Sequence, residues 1–242
     1  MERTGEGRAG PAPSRHPAGA VLAWLALTLA VAVPIAVAAA SPLLEWRSPV
    51  YVAAGFAGVI ALALLLIQPL LAGGRLPGLA GARGRGIHRR VGVALLAAVL
   101  LHVAGLWVTS PPDVVDALLL RSPTPFSLWG VLALWAVVAT ALSATLRRRL
   151  RGRTRRCWGS IHTALATVVV VGSVIHAMQI EGTMGTVSKA VLCALALAAT
   201  AWVVFDRWRR RGVADRGLRG ASDARRAPLG APGPCRRGPG SR

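Results

Sequence analysis

Six long apolar runs, separated by short segments that hold most of the charge, constrain this chain more than any other feature. About twenty apolar residues make a helix long enough to cross a hydrocarbon core about 30 Å thick. Inside that core the backbone must satisfy its own hydrogen bonds, which leaves helices or closed barrels. Uninterrupted runs of this length suit helices, so the reading is an all-α, polytopic membrane protein built as a six-transmembrane-helix bundle. The expected spans are 18–40, 50–71, 87–108, 126–146, 158–178 and 187–208. Pro34 lies within the first span, a position that neighbouring groups can accommodate. An alternative for 18–40 is a cleavable signal peptide, since Arg15 precedes the run and Ala38, Ala39 and Ala40 stand before Ser41. The run exceeds the usual apolar core of about 7–15 residues, which favours a retained span. The domain reading is therefore 1–17 as a disordered cytoplasmic N-terminus, 18–208 as the membrane domain, and 209–242 as a disordered basic tail.

Charge sets the expected orientation. The formal net charge is +20 although 54% of the residues are hydrophobic, and the arginines lie in blocks between the apolar runs. The N-terminal segment, the loop at 75–86, the loop at 147–156 with seven arginines, and the tail are basic, whereas the alternate loops hold one arginine or none. By the positive-inside rule both termini lie in the cytoplasm, of a plasma or inner membrane. The loop between the third and fourth spans holds Pro111, Pro112, Asp113 and Asp116 and has room for one short interfacial helix. Membrane lipid is then the main surrounding partner. Nucleic acid is excluded as a partner because no soluble domain remains to carry such a site. Cys157, Cys193 and Cys235 are widely spaced and form no CxxC pair. They indicate neither a disulfide framework nor a cysteine-held metal. The glycines of 75–86 do not form GxGxxG and no strand precedes them, so a dinucleotide loop fails.

Four of the five histidines form a repeated pattern. His88 and His102 are fourteen residues apart in the third span, and His162 and His176 are fourteen apart in the fifth. Fourteen residues are close to four helical turns, so each pair shares one face, roughly 21 Å apart along the axis. The third and fifth spans run the same way through the membrane, which matches the pairs in depth as well as in spacing. Two stacked His–His pairs result: an inner one, His88/His162, and an outer one, His102/His176. That arrangement is a cage for two haems, with the four histidines as axial ligands of haem iron. Gly92, Ala97, Ala98, Ala164, Ala166 and Gly172 supply small side chains, while Arg83, Arg85, Arg89 and Arg90 (inner) and Arg121 (outer) offer counter-charge for propionates. The bland alternative is histidines that hydrogen-bond between helices or serve a proton path. A non-haem ion fits less well, because ligands within one helix lie too far apart and neither span holds a carboxylate. His16, beside Pro17, has no helical context. Trp46, Trp107, Trp158 and Trp208 sit near span ends as interface anchors; Trp24, Trp129, Trp135 and Trp202 lie deeper as packing residues.

The segment HRRVGVALLAAVLLH, followed two spans later by WGSIHTALATVVVVGSVIH, resembles the ferric reductase-like transmembrane domain. That superfamily includes ferric-chelate reductases, NADPH oxidases and the haem-binding partner of a periplasmic methionine sulfoxide reductase. The resemblance covers about 18–208, and its specific part is the paired spacing. It implies two b-type haems on His88, His102, His162 and His176, with no catalytic side chain. The presence of His88 leans toward the two-haem reductases. Family members commonly continue into FAD- and NAD(P)H-binding domains; no such site is expected in this sequence. Electrons would come from a separate cytoplasmic donor, a flavoprotein or quinol, and leave to an extracytoplasmic acceptor such as Fe(III) or a reductase. The expected function is a transmembrane b-type cytochrome, an oxidoreductase membrane component. The alternatives are a haem-bearing subunit feeding a separate periplasmic reductase, or a non-redox helical membrane protein.

Overall fold

The computed structural model describes the backbone of residues 17–147, 149 and 152–226, with side chains for all of these except 17, 152–156, 211 and 213–226. Its helices are α1 (Pro17–Ala39), α2 (Pro49–Ala72), α3 (Gly81–Thr109), α4 (Pro111–Leu118), α5 (Pro125–Leu146), α6 (Gly152–Gln179) and α7 (Thr186–Arg226), with no strand among the described residues. Six of these, all but α4, are long and apolar enough to cross a membrane. The short α4 occupies the loop in which the sequence leaves room for an interfacial helix.

Helix starts follow local chemistry. Ser48 accepts a hydrogen bond from the Tyr51 amide, and Pro49 opens α2, the first-turn position where a missing N–H costs nothing. Pro111 and Pro125 open α4 and α5 in the same way. α2 continues through Pro69 and stops at Gly73 and Gly74, the latter at φ +62°, a conformation glycine adopts without a Cβ penalty.

Three boundaries depart from the sequence reading. α3 begins at Gly81 rather than at Ile87, so the loop before it is shorter than 75–86. α6 begins at Gly152, six residues before Trp158. α7 continues to Arg226, so 209–226 is helix where a disordered tail is expected. Hydropathy marks only the stretch that sits in lipid, whereas arginine and alanine are good helix formers and extend the helix into water. The expected disorder of 1–16 and 227–242 lies outside the described residues.

Through Val203 the chain forms one unit. Within it α2 packs along α3, and α5 along α6. Both pairs are antiparallel hairpins: Gln68 meets His88 and Ala54 meets His102, while Ser143 meets Trp158 and Phe126 meets His176. α3 and α6 therefore run in the same direction, with the loop residues 73–80 and Arg147 at one end, termed here the arginine end. The core joins α2 (Val59, Leu62, Leu65), α3 (Leu95), α6 (Val169, Val170) and α7 (Leu192, Ala196). Many large apolar side chains, such as Leu101, Val187 and Leu22, are exposed, as expected where the surrounding solvent is hydrocarbon. From Val204 onward a second unit contains the remainder of α7, where Arg210 pairs with Asp206 at 3.0 Å.

Candidate functional site

The structure brings the four histidines together as two pairs. His88 and His162 face each other with ring centres 6.2 Å apart and planes at 70°. His102 and His176 do the same at 6.4 Å and 81°. α3 and α6 make little close backbone approach, so the rings reach across a gap between them. Midway between the two levels, seven residues from each histidine, stand Leu95 and Val169, only 7% and 4% exposed. They form an apolar layer between the pairs.

At the level far from the arginine end, both rings are fixed by backbone. His102 Nδ1 donates to the Ala54 carbonyl at 2.8 Å, and His176 Nδ1 donates to the Phe126 carbonyl at 2.8 Å. A carbonyl oxygen only accepts, so Nδ1 carries the proton and Nε2 of a neutral ring keeps its lone pair for a metal. Such bonds fix tautomer and orientation, as partners of metal-ligating histidines do. Each ring also lies against a glycine. A Cβ on Gly58 would stand 3.1 Å from the His102 ring, and one on Gly130 would stand 2.7 Å from the His176 ring. A methyl at Gly130 would force a shift, whereas one at Gly58 would need the ring to give by only a few tenths of an ångström.

At the level near the arginine end the Gln68 main chain lies beside His88, and side chains add to the support. Gln68 is fourteen residues from Ala54, as His88 is from His102, and it donates from Nε2 to the His88 carbonyl at 3.3 Å. Gln68 Oε1 is nonetheless buried without a hydrogen-bond partner, and His88 Nδ1, beside the Gln68 main chain, makes no hydrogen bond of normal geometry. Across the gap, Trp158 stacks on His162 with ring centres 4.9 Å apart and planes at 24°. Its indole N–H donates to the Ser143 carbonyl at 3.1 Å, and the Arg147 guanidinium lies over the indole, 4.5 Å from a ring centre. Trp158 thus does more than anchor an interface. Its spacing of four from His162, one turn along a helix, was the available signal.

A cavity of about 950 Å³ borders the far pair, walled by α2, α3, α4, α5, α6 and the segment 179–184, with Leu95 and Val169 among its lining. Its size falls in the range of small-molecule and cofactor sites. Arg121 is exposed and is not part of its wall. Arg83, Arg85, Arg89 and Arg90 also have exposed side chains. The cation in the cavity wall is Lys189, 7% exposed. Sequence reasoning missed it, although it is the only lysine in the chain.

Two imidazoles per level are too few for a closed ion cage, and the described residues contain no group of three or more His, Cys, Asp or Glu able to hold an ion. They suit a metal that brings its own equatorial ligands. With metal–imidazole bonds of about 2.0–2.1 Å, two opposed rings on one metal have centres about 6.3 Å apart. The observed 6.2 and 6.4 Å fit that separation. Residues 54–173 match the family model described as ferric reductase like transmembrane component. No curated protein matches the chain, and no solved structure does. The matched stretch begins at Ala54, the residue that holds His102, and includes His88, His102 and His162; His176 follows three residues beyond it.

Proposed function

Because residues 54–173 belong to the ferric reductase-like transmembrane family, we propose that this membrane oxidoreductase component is a b-type cytochrome carrying electrons between two bis-histidine haem levels. The observation that carries this reading is the pairing itself: four histidines at one repeated spacing, meeting across α3 and α6 with ring centres 6.2 and 6.4 Å apart. Bound haem supplies one-electron redox chemistry at each level. The protein's own work is ligation, orientation and exclusion of water. His88 and His162 would hold haem at the near level and His102 and His176 at the far level, a bis-histidine set that suits electron transfer. The Ala54 and Phe126 carbonyls keep the far rings in the ligating tautomer, and the Leu95–Val169 layer keeps the levels apart.

Arginine-bearing loops mark the near level as the cytoplasmic one under the positive-inside rule. A separate cytoplasmic donor, flavoprotein or quinol, feeds His88/His162, and an acceptor such as Fe(III) or a reductase takes electrons beyond His102/His176. The exposed arginines at 83, 85, 89 and 90 give an acidic donor complementary charge. The test is a dithionite-reduced minus oxidised visible spectrum of the purified protein, with haem quantified per chain. Two haems are expected, with one lost on replacing either histidine of a pair by alanine. A protein made in haem-replete cells that shows no Soret band would sink the reading.

A further inference from the structure

Lys189 lies in the first turn of α7, where no acidic residue accompanies it. Its side chain is 7% exposed and forms part of the wall of the cavity beside His102 and His176. Its ammonium donates to the Ile180 carbonyl, a single neutral acceptor for a group with three donors. Ile180 directly follows the end of α6, four residues past His176. Glu181 also borders the cavity, but no ion pair joins it to Lys189 among the described residues. A buried ammonium without a counter-ion is costly, and the positive end of the α7 dipole adds to the same field. Elsewhere the cavity lining carries hydroxyls from Thr109, Ser122, Thr124, Ser127 and Thr183. Asp113 borders the cavity as well, with its carboxylate taking the Ser110 hydroxyl and not the ammonium. A buried cation in a roomy cavity, paired with neither of these exposed carboxylates, suits an anionic guest.

We infer that Lys189 makes the cavity beside the far pair a carboxylate-binding site. Two sources share that chemistry: the propionates of a haem held at the far level, and a free small carboxylate such as one carried by an Fe(III) chelate. The first source rests on the function proposed above, whereas the second does not.

The experiment uses full-length protein purified in detergent from haem-starved cells, as wild type, Lys189→Met and Lys189→Arg. Each is titrated by absorbance with haemin and with haemin dimethyl ester, and by equilibrium dialysis with labelled citrate. If the propionate is the guest, wild type binds its second equivalent of haemin at least about ten-fold more tightly than that of the ester. Lys189→Met then loses that preference and Lys189→Arg keeps it, a change of the size seen on losing a partner beside a metal site. If a free carboxylate is the guest, the two porphyrins bind alike, and wild type binds citrate about ten-fold or more better than Lys189→Met does. Absence of haemin binding in wild type overturns the haem reading alone, and the citrate titration then decides the lysine site. Wild type that treats both porphyrins alike and takes up no citrate overturns the inference without any variant. So does a Lys189→Met protein whose preference and citrate uptake match wild type.

Discussion

The two histidine levels share one spacing and one pair of helices, yet they are secured by different means. At the far level each Nδ1 is tied to a backbone carbonyl at 2.8 Å, and each ring rests on a glycine. At the near level His88 Nδ1 lies beside the Gln68 main chain without a hydrogen bond of normal geometry, and an indole stacks on His162. Backbone support cannot be removed by a point mutation, but the glycines that admit it can. Side-chain support can be deleted directly. The far level is thus vulnerable to added atoms, and the near level to lost ones.

The largest effect belongs to the ligands. His176→Ala should halve the haem per chain and leave the near level spectrally intact; loss of both haems would mean that the levels are not independent. Gly130→Ala should come close to it, since the new methyl falls 2.7 Å from the His176 ring. Gly58→Ala should be milder, because its methyl would lie 3.1 Å from the His102 ring and a small shift relieves it. Haem stoichiometry ranks the two variants, and equal effects would remove the steric argument.

Trp158→Ala tests the opposite side of the comparison. Haem at the near level should bind on the order of 10–100-fold more weakly, as when a group supporting a metal ligand is lost. The far level should be unchanged. A titration in which the far level weakened instead would assign the indole to general packing. The smallest effect is expected of Gln68→Leu, about three-fold or less in near-level haem affinity, because its amide bonds the His88 backbone and not the ring. A loss as large as that for Trp158→Ala would show that Gln68 turns to hold His88 Nδ1 when metal is bound.

Much of this was legible in the chain itself. The apolar runs announce six spans, because the bilayer imposes a length that hydropathy records directly. The fourteen-residue spacing announces the pairs, because a straight helix repeats its face after four turns. Helix ends were not legible: the bilayer edge and the end of hydrogen bonding differ, as Gly81, Gly152 and Arg226 show. The support of each ring was not legible either. Ala54 and Phe126 act through carbonyl groups, which every residue has, so identity carries no trace of the role. Lys189 left a trace in being the sole lysine, but its burial depends on how α7 meets the segment 179–184, which no local pattern encodes.

The layer of Leu95 and Val169 has an electrical meaning. From Val91 to Leu101 and from Thr163 to Ile175 there is no ionisable side chain, and Thr163 and Thr167 hydroxyls are turned back onto carbonyls of their own helix. On the proposed function, an electron crossing this stretch travels without a proton beside it, so each transfer moves net charge through a low-dielectric slab. Turnover then works with or against the membrane voltage, at about 2.3 kcal/mol per charge per 100 mV over the full thickness. In sealed vesicles an imposed potential should speed the reaction in one polarity and slow it in the other.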